Sequence, residues 1–572
     1  MSETCSAEQY DYIVAGGGTA GCVLANRLSA DPATRVLLIE AGPWDSNPLY
    51  RIPIMGMHLF RWKYNNWSYV TEPEPGLNDR RITWPRGRVI GGSSSMNGMI
   101  FTRGGAVDYD RWAQAGLSSW SYEKVLPYFR RLEHYEGPLD EYRGKDGPIR
   151  VSRIETHHPL FDSFIDAGQE AGLPYNADFN GEELEGVGRY DTNISQGQRW
   201  SAARAYLEPA RDRDNLDVLT GATVDRVVLD GKRATGVVVR TRAGTRTIGA
   251  AREVVLTGGA IGSPTVLLHS GIGDPQDLAD AGVAVMHGLR GVGRNLQDHL
   301  NITHFHSSKI PDMFYRDARF DRAFGMLVHA FLRKRGKGAM VPHNAGAFLK
   351  SDTRLASPDL QIHYMPAGVN SRQVRVPFQS VTGDSPFGVA AHICHLHPES
   401  RGKISLRSAD PADRPRILGN YLTAEADKLA MRAGFRALEN LFDQPAFRKV
   451  VGSRIAPPDK PFTDEEVDAW IRDNASTIYH PAGTCKMGTD SEAVVDERLR
   501  VHGIQGLRVA DAAIMPTLVS ANTHAPTIMI AEKAADMMIE DAKAPSVAHE
   551  VAPMAAAREP ALPLSESGAT HQ

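Results

Sequence analysis

The sequence predicts an α/β fold built around a twisted, nucleotide-binding sheet, and three observations carry that prediction. Residues 12–15 form a short apolar strand that runs into Gly16, Gly18 and Gly21, the spacing G-x-G-x-x-G. Cys22, Leu24, Ala25 and Leu28 then fall at helical spacing. Residues 36–39 form a second apolar strand that ends at Glu40, nineteen residues beyond Gly21. Strand, glycine turn, helix, strand and acid in that register make a Rossmann-like dinucleotide fingerprint. Glycine lets the chain turn tightly and lets backbone approach a pyrophosphate, and the helix N-terminus offers unpaired N–H groups and a positive dipole end. Glu40 can accept hydrogen bonds from an adenosine ribose and repel a phosphate on it.

Bulk properties set the outer limits. The chain has 572 residues and is 42% hydrophobic, more than one core can use, so more than one lobe is expected. Its formal charge is −4, so no global field recruits nucleic acid. Nine residues precede the first strand without an apolar run, and a cytoplasmic location without a secretory leader is expected. No segment approaches the roughly 20 apolar residues of a membrane span. Cys5, Cys22, Cys394 and Cys485 lie far apart without a C-x-x-C pair, as in a reduced protein with neither disulfides nor bound metal.

Further along, residues 87–103 (GRVIGGSSSMNGMIFTR) form a small-residue loop that permits close backbone approach to a bulky ligand. Residues 216–240 alternate and turn at Asp230-Gly231, predicting a hairpin or meander. Residues 253–257 read as a buried strand, and 291–299 (GVGRNLQDH) as a second glycine-rich turn. Strands are predicted over 359–364, 387–395 and 507–511, and helices over 317–335, 424–442 and 525–539. Pro526 falls in the first turn of the last helix, where proline is tolerated. The stretch 542–572 is Ala-, Pro- and Ser-rich without periodicity and predicts disorder.

Four ordered blocks give the chain a resemblance to the glucose–methanol–choline (GMC) oxidoreductases over residues 8–541. Besides the N-terminal fingerprint, residues 87–97 (GRVIGGSSSMN) and 259–273 (GAIGSPTVLLHSGIG) resemble the two family signatures. Residues 478–488 (IYHPAGTCKMG) and 511–531 (DAAIMPTLVSANTHAPTIMIA) resemble its C-terminal catalytic blocks. The resemblance implies an FAD-binding domain made of segments 8–155, 209–300 and 491–541. It also implies a substrate domain on an antiparallel sheet, made of segments 156–208 and 301–490. Cofactor contacts are implied for Gly16, Gly18, Thr19, Ala20, Gly21, Glu40, Ala41, Arg88, Gly91, Gly92, Ser93, Asn97, Gly98 and Met99. Val224, Gly258, Asp511, Ala512, His524, Ala525 and Pro526 complete that set, with Val224 toward the adenine and Asn97 and Gly98 toward the flavin ring. Some relatives attach FAD through a histidine where this chain has Met96; methionine cannot form that bond, so non-covalent FAD is expected.

The family's catalytic pair maps onto His480 and His524. Oxidising an alcohol requires removal of its hydroxyl proton, and imidazole matches that task at neutral pH. His480 is expected to be the base and His524 to hold the substrate oxygen, although the pair leaves a shared role open. His524 adjoins a helix start whose positive dipole end disfavours imidazolium. The implied activity is oxidation of an alcohol, a primary one favoured, to the aldehyde, with hydride passing to flavin N5 and a quinone-type acceptor or O2 closing the cycle. An oxidase on aryl or furanic alcohols, and a cyanohydrin lyase on the same fold, are the alternatives. The choline-dehydrogenase-like branch is nearest in the C-terminal blocks, but it does not fix the substrate or the oligomeric state.

Three features invite other readings. His392, His395 and His397 suggest a metal cluster, yet alternation on a strand sends 392 away from the other two. The basic helix over 317–335, with Phe320, Phe324, Leu327 and Phe331 as its stripe, reads as a solvated helix face, with a lid or peripheral membrane contact as the second reading. Phe60, Trp62, Tyr64 and Trp67 read as packing before entrance lining.

Overall fold

The computed structural model describes residues 9–154, 156–368 and 386–543. In chain order, the strands of its two large sheets begin with β1 (Gln9–Ala15), β2 (Val36–Glu40), β3 (Gly186–Arg189), β4 (Leu216–Thr220), β5 (Thr223–Asp230), β6 (Arg233–Thr241) and β7 (Gly244–Leu256). They continue with β8 (Leu300–Ser308), β9 (Ala345–Leu349), β10 (Leu360–Met365), β11 (Gly388–His395), β12 (Val451–Ala456), β13 (Ser476–Thr477) and β14 (Leu507–Val509). Six helices matter here: α1 (Thr19–Leu28), α2 (Met55–Arg61), α3 (Gly259–His269), α4 (Phe320–Arg333), α5 (Glu425–Asp443) and α6 (His524–Lys543).

The first sheet has seven strands in the order β4-β2-β1-β7-β6-β5, with β14 also paired to β7. Its β4, β2, β1, β7 and β14 run parallel, and β5 and β6 add an antiparallel hairpin. Gly231, at φ 56, makes the tight turn between β5 and β6. All five residues of β2 are buried, the continuous apolar pattern of a strand covered on both faces. Of the hairpin or meander expected over 216–240, the hairpin about Asp230-Gly231 forms. Residues 216–220 leave it and add in parallel to β2 as an edge strand, because alternation alone does not tell a strand its partner.

The second sheet, β12-β8-β11-β10-β9-β3 with β13 on β8, is antiparallel throughout. Helix α6 packs across α1 within the first core. The two are tied by Arg27, whose Nη2 and Nε donate to Glu532 at 2.7 and 3.0 Å; Tyr206 donates its hydroxyl to the same carboxylate at 2.7 Å. Glu532 is fully buried, so its charge is held by a two-pronged guanidinium contact that ties α6 to α1.

Helix α4 has the expected periodicity but not a buried stripe. Ala323 and Ala330 face the body, while Phe320, Phe324 and Leu332 are 61%, 65% and 68% exposed. The three histidines of the suspected cluster diverge. His392 bonds Thr303, His395 lies toward Asp427, and His397 bonds Asp108 and Ser520. The predicted disordered tail falls, from residue 544 on, outside the described residues.

Candidate active site

Residues from both sheets line one cavity of about 920 Å³. One end is closed by Glu40, Ala41 and Val224, the middle by Gly16, Gly18, Thr19, Ala20, Gly92, Ser93, Gly258, Asp511 and Ala512. Arg88 also reaches this wall. Asn97, Gly98, Met99, His480 and His524 line the far end, so segments more than 400 residues apart in sequence meet there. Of the expected contacts, Gly21, Gly91, Ala525 and Pro526 do not reach the wall. A Cβ on Gly21 would lie 1.8 Å from the Gly16 carbonyl oxygen, so this glycine allows α1 to pack on the turn. Gly91 donates its N–H to Gly17 O at 2.7 Å, while Ala525 and Pro526 are buried one layer behind His524.

The middle of the cavity is shaped for a ligand that approaches backbone. Gly18 precedes α1 without a side-chain cap, and no acid sits in the first turn, so the helix directs free N–H groups and a positive end into the cavity. A Cβ placed on Gly98, Gly259 or Gly262 would meet nothing within 4 Å, and one on Gly18 only atoms at 3.9 Å and beyond. These four lining glycines leave a cradle that side chains would fill. Asp511 is locked there: its Oδ2 accepts from Gly259 N and Ser263 Oγ, and its Oδ1 from Ala513 N. Glu40 does more than face a ribose, since its oxygens accept from Gly17 N at 2.9 Å and Gly42 N at 2.8 Å. Burial raises its pKa to about 7 in spite of those two amides. The set fits an adenine dinucleotide carrying a large planar ring.

At the far end His480 is held by neighbours that the sequence reading missed. Residues 297 and 482 exchange backbone hydrogen bonds, and Ile478 N donates to His299 O, so two loops run side by side. Tyr479 is forced to φ 73, a costly conformation for an aromatic residue, immediately before His480. His480 N donates to Asp298 Oδ1 at 2.8 Å, and Tyr421 donates its hydroxyl to Asp298 Oδ2 at 2.6 Å.

The ring nitrogens can be assigned from these partners. His299 Nε2 lies 3.1 Å from Leu396 O, which only accepts, so Nε2 carries the proton. Burial keeps His299 neutral, with its pKa pushed down to about 3, so its Nδ1 is an acceptor. His480 Nδ1, 3.0 Å away, must then be the donor. That leaves His480 Nε2 unprotonated, accepting a hydrogen bond from the amide Nδ2 of Asn522 at 3.3 Å. Burial first, then His299, His363 and Arg86, hold the His480 pKa well below the ordinary imidazole value. His524 is pushed to about 3, again chiefly by burial and next by Arg199. His524 Nε2 is buried and has no hydrogen-bond partner among the described residues.

Phe60 and Trp67 line the cavity, whereas Trp62 and Tyr64 are exposed and belong neither to core packing nor to the cavity wall. Of the missed neighbours only His299 left a signal, the Asp298-His299 pair that closes the glycine-rich turn over 291–299.

Comparison with known proteins agrees with this geometry. The chain is 42% identical to the alcohol dehydrogenase [acceptor] of Pseudomonas putida, over 93% of this chain and 96% of that protein. It is 42% identical to the mitochondrial choline dehydrogenase of Homo sapiens, over 93% and 90%. The crystal structure of pyridoxine 4-oxidase from Mesorbium loti superposes with a TM-score of 0.83 at 31% identity, covering 93% of this chain and 99% of that one. Family models described as GMC oxidoreductase match residues 10–301 and 398–531. With a glycine cradle for a dinucleotide along the cavity and two neutral imidazoles at its far end, the chain belongs to the GMC oxidoreductase family and is an FAD-dependent oxidoreductase of CH–OH groups.

Proposed function

We propose that the chain oxidises a primary alcohol to the aldehyde with His480 as general base, and the observation that carries this is the unprotonated Nε2 that His299 imposes on His480. When bound, FAD supplies the two-electron acceptor that no side chain offers. Gly16, Gly18, Thr19, Gly92, Ser93, Gly258 and Asp511 would hold its pyrophosphate and ribityl stretch, and Asn97, Gly98 and Met99 its ring. His480 Nε2 accepts the hydroxyl proton while its Nδ1–H stays hydrogen-bonded to His299 Nδ1. The unpartnered Nε2 of His524 binds the substrate oxygen. Arg86 and Arg199 favour negative charge developing on that oxygen. Addition of a primary alcohol to the holoenzyme under argon is expected to bleach the flavin and release one aldehyde per FAD. A cyanohydrin lyase would leave the flavin oxidised.

The division into cofactor and substrate segments is part of this reading. Every strand of the first sheet falls in 8–155, 209–300 or 491–541, and every strand of the second, apart from Leu300, in 156–208 or 301–490. Non-covalent FAD is supported by Met96, which is buried against Tyr50, Leu59 and Val89, away from the cavity wall. Acid precipitation is expected to leave a white pellet and a yellow supernatant; colour retained in the pellet contradicts it.

For the acceptor, the exposed face of α4 favours a membrane quinone over O2. Phe320, Phe324, Val328, Phe331 and Leu332 lie on one exposed side, and Arg322, Arg333, Lys334 and Arg335 beside them form no ion pair among the described residues. Leu327 and Ala330 of α4 pack on Met55 of α2, the helix that sends Phe60 and Arg61 to the cavity wall. An apolar ridge edged by cations matches an anionic bilayer surface. Holoenzyme is expected to sediment with phosphatidylglycerol vesicles but not with phosphatidylcholine ones, and a Phe324→Ser, Phe331→Ser variant to stay in the supernatant. Equal sedimentation of that variant contradicts the assignment.

A further inference from the structure

The wall opposite the nucleotide is set by the register of the second sheet. Thr303 of β8 stands across from His392 of β11, and His392 across from His363 of β10, so the three side chains form a row on one face. Asn301, two residues before Thr303, shares that face. All four line the cavity together with His343 and Tyr479. Thr303 Oγ1 and His392 Nδ1 are 2.7 Å apart, and His363, beside the Asn522 side chain, has a buried Nε2 without a hydrogen-bond partner among the described residues.

No carboxylate joins this row among the described residues. The four acids on the cavity wall are Glu40, Asp225, Asp413 and Asp511. Three of them belong to the first sheet and its flanks. Asp225 is paired with Arg240 at 2.9 Å, and Arg240 also donates to Pro411 O of the loop that carries Asp413. Asp298 lies behind His480 with its oxygens occupied by His480 N and Tyr421 Oη. The charged groups that do act on the two imidazoles are cations. Arg86 donates to Tyr479 O at 2.6 Å and depresses His480, and Arg199 depresses His524. Arg199 is 2% exposed, its Nε and Nη2 have no partner, and Nη1 donates to neutral oxygens of Ser94 and Asn97.

We infer that the substrate end selects uncharged polar alcohols and rejects those bearing a quaternary ammonium. This rests on the alcohol-oxidising reading above and narrows its substrate class. A fixed cation brought into this end would lose its water and gain no anionic partner, while two guanidinium groups repel it. An uncharged substrate meets Asn301 Oδ1, whose amide N–H is held by Ser476 O, the Thr303 hydroxyl bonded to His392, and His363 Nε2, groups that suit a second oxygen. The aromatic rings of Phe60, Trp67 and Tyr479 are the counterweight, because a cation can stack on them. Arg88 already lies 4.9 Å from the centre of the Trp67 ring, which removes that face from competition.

The test uses matched pairs that differ only in a quaternary nitrogen or a quaternary carbon. They are choline with its tert-butyl isostere, and para-trimethylammonio-benzyl alcohol with para-tert-butylbenzyl alcohol. Each is mixed with holoenzyme under argon, and the rate of flavin bleaching is read against concentration. In every pair that reacts, the uncharged member should be favoured at least about tenfold, the scale on which a desolvated polar mismatch discriminates. Asn301→Glu, checked for its FAD content, should move that ratio toward the cation by a similar factor. Equal or reversed preference in a reactive pair overturns the inference. Bleaching by no alcohol at all overturns instead the reading on which it rests.

Discussion

Replacing His480 by alanine is expected to slow flavin reduction by alcohol about 10²–10⁴-fold, the range for loss of a positioned general base, with FAD still bound. That corresponds to roughly 3–5 kcal/mol of barrier. The cofactor should stay because His480 stands at the substrate end of the cavity, while the glycine cradle and the uncapped start of α1 form its middle. His299→Leu is expected to act through the same atom. It removes the acceptor that holds the proton on His480 Nδ1, so that proton can move to Nε2 and block the base. Its effect should be smaller and appear in the bleaching rate more than in substrate affinity. Rapid-mixing traces of the three proteins at equal FAD content decide the point; an unaltered His480→Ala trace removes this residue from the mechanism.

Gly21→Ala is expected to cost the protein its cofactor. The added Cβ would stand 1.8 Å from Gly16 O and 3.0 Å from Gly16 C, both backbone atoms that cannot rotate aside. Helix α1 cannot retreat easily, since Ala20, Cys22, Val23, Leu24 and Ala25 are all buried around it and Arg27 ties it to Glu532. The loop from Gly16 to Gly18 must therefore move, taking with it the amide of Gly17 that Glu40 holds. Overpacking of this kind costs about 1–3 kcal/mol even where the fold survives. Flavin absorbance relative to protein absorbance reads the outcome directly. A variant that retains stoichiometric FAD with parental affinity would show that the close packing of α1 does not shape the site.

The parts of this site legible in the sequence are those that backbone geometry demands. Gly16, Gly18 and Gly21 with Glu40 announce themselves because a tight turn, a close helix and an acid at a strand end admit few other residues. His480 and His524 were legible only through resemblance to a family, since nothing in the spacing of two loop histidines says that they meet. Their supporting shell was not legible. His299, Asn522, Arg199 and His363 come from separate strands and loops, and only the three-dimensional register brings them together. The helix over 317–335 shows the same limit in another form. The spacing of Phe320, Phe324 and Phe331 fixed the period, but nothing in it says whether the body of the protein covers that face. Electrostatics was read in sign but not in cause. The pKa of His524 is lowered by burial and by Arg199, neither of which the sequence displays.

The pH dependence of the limiting rate of flavin reduction tests the central claim most directly, namely that His480 presents an unprotonated Nε2 to the substrate. A base whose pKa is lowered is unprotonated at every pH above that value, so activity is lost only as pH falls through it. Because burial and the neighbouring cation hold His480 well below the ordinary imidazole value, and His524 near about 3, the rate should be flat from alkaline pH down through about 6.5 and fall only in more acid solution. A rate that declines with a midpoint at or above about 6.5, and does so through His480, would contradict it.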